Sequence, residues 1–245
     1  MIDVVTPLGP NDKIQGQLPY TRENVIGIRD HYVVTRFSGC EHGEEECRWK
    51  MANFTPESIF PFSWQDIYDA GAFRQPGRVG WYLQQLIKLY AWKVIPGLSD
   101  PYLVLDADTH LLRPLNFHEE GVLLFTKAYE WHKPYFRHME RLHPFLERMQ
   151  NASGVAHHMP MSHEVLASLF NLVEDHHGCP FWEAFMKCVD PQERGGSGAS
   201  EYEIVFNYTQ KFFPDMFRLR NLNWRNVKRI PDEEDLDFIS KHWYL

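Results

Sequence analysis

The stretch from Trp81 to Asp108 constrains the fold of this 245-residue chain more than any other. Leu83, Leu86, Ile87, Tyr90, Ala91 and Val94 recur at three- and four-residue spacing, which predicts a helix with one apolar face. Gln84 and Lys88, four apart, share another face. Pro96-Gly97 stops the helix. Then comes Tyr102-Leu103-Val104-Leu105, an apolar run bounded by turn signals, which reads as a buried central strand of a largely parallel sheet. At its carboxyl end stand Asp106-Ala107-Asp108, where open α/β sheets bind their ligands.

The flanking sequence fits that unit. Ile2–Thr6 is a β-rich run broken by Pro7-Leu8-Gly9-Pro10-Asn11-Asp12, and Tyr32–Thr35 is a second short strand after a helix-length segment, so the chain opens as a βαβ pattern. Residues 36–79 are rich in Gly, Pro and charge and are expected to form loops with short elements. Val122–Thr126 reads as a strand. Helices are predicted over Tyr135–Met149 and over Val165–Val173, the second with Ser162 as N-cap. A Gly/Ser-rich stretch over 195–200 leads into a further helix with Ile204, Val205, Tyr208 and Phe212 on one side. No repeat or linker interrupts this, and the length suits a single α/β domain.

Composition limits the partners. A formal charge of −8 provides no general basic field for nucleic acid or an anionic membrane, so an anionic ligand would need local cations and a metal. No run of about 18 apolar residues is present, and the N-terminus lacks a basic region followed by an apolar one. A soluble, cytoplasmic chain without a transmembrane segment is the expectation. Aromatic content of 15% is high; such side chains stack on bases and sugar rings, but they also fill cores. Neither Cys40 and Cys47, which flank His42, nor Cys179 and Cys188 have the two-residue spacing of zinc knuckles, so reduced structural thiols are expected.

Two carboxylates one residue apart, held at a sheet edge by the apolar strand before them and Thr109–Leu115 after them, concentrate negative charge where the chain turns. A hard divalent cation, Mg²⁺ or Mn²⁺, suits carboxylate and phosphate oxygens together, and as a Lewis acid it would stabilise a leaving diphosphate. A bare D-x-D is common by chance; this setting makes it specific.

These residues carry a resemblance. Lys88-Leu89-Tyr90-Ala91-Trp92, Tyr102 to Thr109 and Leu112-Arg113-Pro114-Leu115 resemble the core of GT-A-fold glycosyltransferases, and glycogenin-like enzymes have a similar lysine-bearing helix before a strand and D-A-D-T. Val5 to Asp12 is similar to that family's first strand and nucleotide-binding loop. Gly-x-x-x-Gln-Gln-x-x-Lys-Leu from Gly80 to Leu89, and Ser-Glu-Tyr-Glu from Ser200 to Glu203, resemble still more closely a group of uncharacterised bacterial and large-virus proteins, DUF6492-like, taken to be GT-A transferases. The resemblance covers nearly the whole chain. It implies a Rossmann-like nucleotide-diphospho-sugar transferase with a mostly parallel sheet flanked by helices. A nucleotide-sugar-binding half would span 1–113 and an acceptor-binding half 114–245.

The resemblance further implies a UDP- or GDP-linked sugar as donor and a glycan or other hydroxyl compound as acceptor. Asp106 and Asp108 would bind the metal and the ribose or diphosphate, Lys88 would reach donor phosphate with Gln84 beside it, and Thr6 and Asn11 would line the nucleoside site. Arg78 is a phosphate candidate on charge grounds, with a surface arginine as the equal alternative. His242 is positioned to be a third metal ligand, as a histidine near the end of the catalytic domain often is; a packed neutral histidine is its alternative. His157 and His158 compete for that role, and because adjacent side chains diverge only one of them can face a site.

If transfer inverts the anomeric centre, a carboxylate must accept the acceptor's proton. Ser200-x-x-Glu203 fits a capping box, which gives Glu203 a structural task and leaves Glu201 as the base. The later acidic motifs of glycogenin-like enzymes are missing, which argues against carrying over their retaining mechanism. Two alternatives stay open. A haloacid-dehalogenase-type phosphatase also places D-x-D after an apolar strand, but wants Thr or Val where His110 stands and usually places the motif near the N-terminus. A non-catalytic nucleotide- or sugar-binding module is the other.

Overall fold

The computed structural model describes residues 1–10, 13–36, 51–73, 77–230 and 235–242. The elements, in chain order, are β1 (Ile2–Leu8), α1 (Leu18–Asn24), β2 (Ile28–Thr35), β3 (Asn53–Pro56), α2 (Trp64–Ala70), α3 (Val79–Val94), β4 (Tyr102–Leu105), β5 (Thr109–Leu111), β6 (His118–Glu119) and β7 (Val122–Thr126). They continue with α4 (Lys133–Leu142), β8 (His158–Met161), α5 (His163–His177), α6 (Phe181–Cys188), α7 (Glu201–Phe212), β9 (Phe217–Arg220), β10 (Trp224–Val227) and β11 (Phe238–Lys241).

The main sheet has the order β3-β2-β1-β4-β8, its first four strands parallel and β8 antiparallel against β4. β4 lies between β1 and β8, which accounts for its continuous apolar sequence. Its pleat divides the core: Tyr102 and Val104 face the large cluster made with α2 to α7, whereas Leu103 and Leu105 face a second cluster with Leu111, Phe117 and Phe238. The large cluster runs from Val5 to Tyr208, so elements from both halves of the sequence share one core. This is the expected α/β architecture with a central, mostly parallel sheet flanked by helices.

Two smaller sheets complete it. One has the order β6-β7-β9. The other, β10-β11-β5, pairs Ser240 with Thr109 and Ile239 with His110 in an antiparallel ladder, which brings residues 241 and 242 back to Asp108. Within 36–79 the described residues hold β3 and α2, the latter started by a Ser63–Asp66 capping box.

The helix expected over Tyr135–Met149 ends at Leu142. His143 precedes Pro144, and the residue before proline is driven out of the helical region. The Ser200–Glu203 capping box is only half formed. Ser200 Oγ accepts from the Glu203 N–H, but the Glu203 carboxylate turns away to accept from Ser153 Oγ and Asn207 Nδ2. Cys179 and Cys188 are free thiols; Cys40, His42 and Cys47 lie outside the described residues. Among the described residues no helix is long and apolar enough to cross a membrane.

Candidate active site at the carboxyl end of the central strand

A cleft of about 1140 Å³ opens along the carboxyl ends of β1, β2 and β4. Its walls are the loop after β1, the α3 face carrying Gln84 and Lys88, Asp106–Asp108, the start of α7 and the end of β11. Four exposed cations, Lys13, Arg36, Arg78 and Lys241, line it. The same lining carries the carboxylates of Glu57, Asp106, Asp108, Glu130 and Glu201, so with Lys88 included the cleft mixes both signs of charge rather than presenting one.

At the centre, four side chains from three elements meet. Lys88 is 2% exposed, and its ammonium donates to Asp106 Oδ1, to Glu201 Oε1 at 2.7 Å and to the Tyr202 hydroxyl at 3.2 Å. Tyr202 in turn donates to Asp106 Oδ1 at 3.0 Å. Three acceptors therefore take the three N–H bonds of the ammonium. Burial disfavours the charged lysine, but Asp106 and Glu201 together outweigh it and hold the ammonium protonated well above its ordinary range. Asp106 is also pushed up by burial, yet Lys88 and then His157 bring its carboxyl well below the usual range. Burial raises Glu201, with Lys88 opposing and Asp106 reinforcing.

Local structure fixes each of these groups. α3 delivers Lys88 from the helix face predicted for it. Glu201 opens α7, and Gln85 Oε1 accepts its backbone N–H at 3.0 Å, satisfying a donor that a helix start leaves unpaired. Gln17 Nε2 donates to the Asp106 carbonyl at 3.2 Å, while its own Oε1 is buried without a hydrogen-bond partner.

Each of the two carboxylates has a histidine beside it. Asp108 Oδ2 lies 3.2 Å from His242 Nδ1, and Asp108 Oδ1 accepts from Ser240 Oγ at 3.1 Å. His157 Nδ1 is 3.4 Å from Asp106 Oδ2, and the His157 and His242 ring centres are 5.1 Å apart. His157 has φ of +61°, a left-handed conformation that costs a non-glycine residue about 1–2 kcal/mol. That twist turns its ring to Asp106 while its carbonyl accepts from the Asp106 N–H at 2.9 Å. His158 points the opposite way, into the core, where Nε2 meets Thr126 Oγ1 at 2.9 Å. Of the adjacent pair, one therefore faces the site, as side-chain divergence requires.

The structure thus brings together Asp106, Asp108, Lys88, Gln84, Arg78, Glu201 and His242 on one cleft. It does not bring Thr6 there: Thr6 is fully buried and its Oγ1 is 2.9 Å from His31 Nε2, whereas Pro7 to Pro10 reach the cleft. Asn11 lies outside the described residues. Tyr202, Gln85, Gln17 and Ser240 are additions that sequence reading missed. Tyr202 sits inside the Ser-Glu-Tyr-Glu motif and Gln85 inside Gln84-Gln85, so both were within reach; Gln17 and Ser240 carried no local signal.

The architecture is that of the GT-A glycosyltransferase fold. Among solved structures, mouse xyloside xylosyltransferase 1 in its apo form matches 98% of this chain and 96% of its own at a TM-score of 0.51. Sequence identity is 10%, so the likeness concerns the fold alone. By sequence the chain belongs to a family of unknown function, DUF6492, whose model matches residues 48–184, more than half its length. No curated protein matches the sequence.

Proposed function

We propose that this protein is a glycosyltransferase that moves a sugar from a UDP- or GDP-linked donor to a glycan or other hydroxyl acceptor, using Mn²⁺ or Mg²⁺ at Asp106 and Asp108. The observation that carries this reading is the pair of carboxylates at the end of β4, in a cleft that four exposed cations line. Phosphates and a divalent cation are the ligands such a mixture of charges accommodates.

The donor set fits the metal by its chemistry. Asp106 and Asp108 offer hard oxygens and His242 an imidazole, a combination that suits Mn²⁺ better than Mg²⁺. Among the described residues no three His, Cys, Asp or Glu side chains form a metal-holding group by themselves, so Asp106 and Asp108 would hold the ion together with the donor phosphates. When bound, the metal supplies Lewis-acid stabilisation of the departing nucleoside diphosphate.

The protein's own groups do the rest. Lys88 and Tyr202 fix the Asp106 carboxylate in one orientation. Arg36, Lys13 and Lys241 neutralise donor charge. Glu201, held by Lys88 and raised by burial towards the range of a useful base, takes the proton from the acceptor hydroxyl.

Thermal-shift measurements with UDP, GDP and their sugars, with Mn²⁺ and then with EDTA, test this reading. A ligand present at about 100 times its Kd adds about 2.7 kcal/mol of stability. One nucleotide family should therefore raise Tm, and EDTA should cancel the rise. Asp108→Asn should remove both the metal-dependent shift and transfer at a nearly unchanged resting Tm, since Asp108 is 41% exposed and contacts Ser240 and His242 at the rim. Wild-type transfer in that variant would overturn the metal assignment.

A further inference from the structure

The groups around Asp106 occupy one end of the cleft only. α3 runs along its wall and presents Lys88, Gln84 and Trp81 to it, four and three residues apart and hence on one helix stripe. Seven residues at about 1.5 Å each separate Trp81 from Lys88 by roughly 10 Å along the helix axis. Trp81 therefore stands two turns from the point where Lys88, Asp106 and Glu201 meet.

Trp81 is half-buried and braced. Tyr135 lies nearly parallel to it, with ring centres 6.4 Å apart and planes at 22°, and Tyr82 meets it edge-on at 5.0 Å. The Arg78 guanidinium is 5.4 Å from the indole centre and donates to Ser197 Oγ at 3.4 Å. Glu130 lines the same end of the cleft beside Tyr135. A fixed aromatic plate surrounded by a carboxylate, a guanidinium, a hydroxyl and an amide is what a sugar ring needs. The apolar face of the ring lies on the indole, and its hydroxyls exchange hydrogen bonds with the polar groups. Glu130 also argues against a diphosphate at this end, since like charges repel.

We propose that Trp81 seats a sugar unit of the acceptor other than the one that reacts, so that the acceptor is a glycan of at least two units. This assignment rests on the transferase reading for the reacting end, where the acceptor hydroxyl meets Glu201. The roughly 10 Å between Lys88 and Trp81 exceeds what one ring spans, so a single sugar cannot fill both places.

Isothermal titration calorimetry provides the test, in the presence of Mn²⁺ and whichever of UDP or GDP raises Tm. The probes are methyl β-glycosides of glucose, galactose, mannose and xylose, and the matching disaccharides cellobiose, lactose, mannobiose and xylobiose. At least one disaccharide should bind about tenfold more tightly than its methyl monoglycoside. Trp81→Ala should erase that preference, Trp81→Phe should retain most of it, and the nucleotide-induced rise in Tm should persist in both. Trp81→Leu keeps apolar volume without a flat ring and carries the test if the alanine variant does not fold. A preference that survives loss of the ring would overturn the proposal. So would a wild-type protein that responds to nucleotide but binds none of the disaccharides. Loss of the nucleotide response in a folded Trp81 variant would overturn it too, by assigning the indole to the donor. If no nucleotide stabilises the wild-type protein, the transferase reading itself fails.

Discussion

Lys88 places an ammonium where Asp106, Glu201 and Tyr202 converge, and its removal leaves two carboxylates facing each other with no cation between them. Breaking a buried ion pair from one side costs about 3–5 kcal/mol, because the remaining charge stays buried and unpaired. At about 2–4 °C per kcal/mol for a chain of this size, Lys88→Met should melt roughly 10 °C below wild type. Glu201→Gln should behave differently. It leaves Lys88 paired with Asp106, so Tm should change little, while transfer should fall by about 10²–10⁴-fold if Glu201 is the base. Melting curves and turnover on the same two variants separate the roles. A Lys88→Met protein as stable as wild type would show that the network is not the buried ion cluster described here.

α7 shows how an element can look solved in sequence and still hold a different contact. Ser200 caps it as expected, but Glu203 reaches sideways to Ser153 and Asn207, tying the helix to the segment before β8. Glu203→Gln therefore replaces an acceptor that takes two buried hydrogen bonds with an amide that can accept at only one atom. It should cost about 1–3 kcal/mol, more than a lost N-cap contact alone, and differential scanning calorimetry should register it. α3, β4 and the D-x-D were legible because their signals are local: a three- and four-residue apolar period, a buried run and a turn. Registers between distant strands were not. β8 and β11 are four-residue strands set by partners dozens of residues away, and no local period announces that Ser240 will sit beside Asp108. His157 was legible as one of a pair, but its choice over His158 depends on a left-handed backbone that neither residue type declares.

At the scale of the whole molecule, three histidines make stability sensitive to acid. His31, His138 and His158 are buried and held neutral: burial, with Arg22 adding to it, lowers His31 to about 3. Burial lowers His138 to about 4 against the opposing hydrogen bond that its ring donates to the Phe185 carbonyl, and lowers His158 to about 3 with help from Arg220. In the unfolded chain each titrates near the ordinary value of about 6.5. A folded pKa below the unfolded one gives stability that is present above the unfolded value and lost as pH falls. The slope approaches about 1.4 kcal/mol per pH unit for each histidine, or about 4 for three, between pH 6 and 4. His157 opposes this. Burial lowers it, but the hydrogen bond and charge of Asp106 raise it further, so its contribution is present at low pH and lost as pH rises through its folded value. Asp106, held below its ordinary range by Lys88 and His157, adds a loss only below about pH 4. Against a total stability of about 5–15 kcal/mol, the three core histidines should bring acid unfolding into the range of about pH 4–5, ahead of most carboxylates. Urea denaturation from pH 8 to pH 4 should show the decline beginning just above pH 6. His138→Gln, which removes one titrating group, should make it shallower by about one proton. A stability that stays flat down to pH 4.5 would mean that these rings are charged in the folded protein or reached by water.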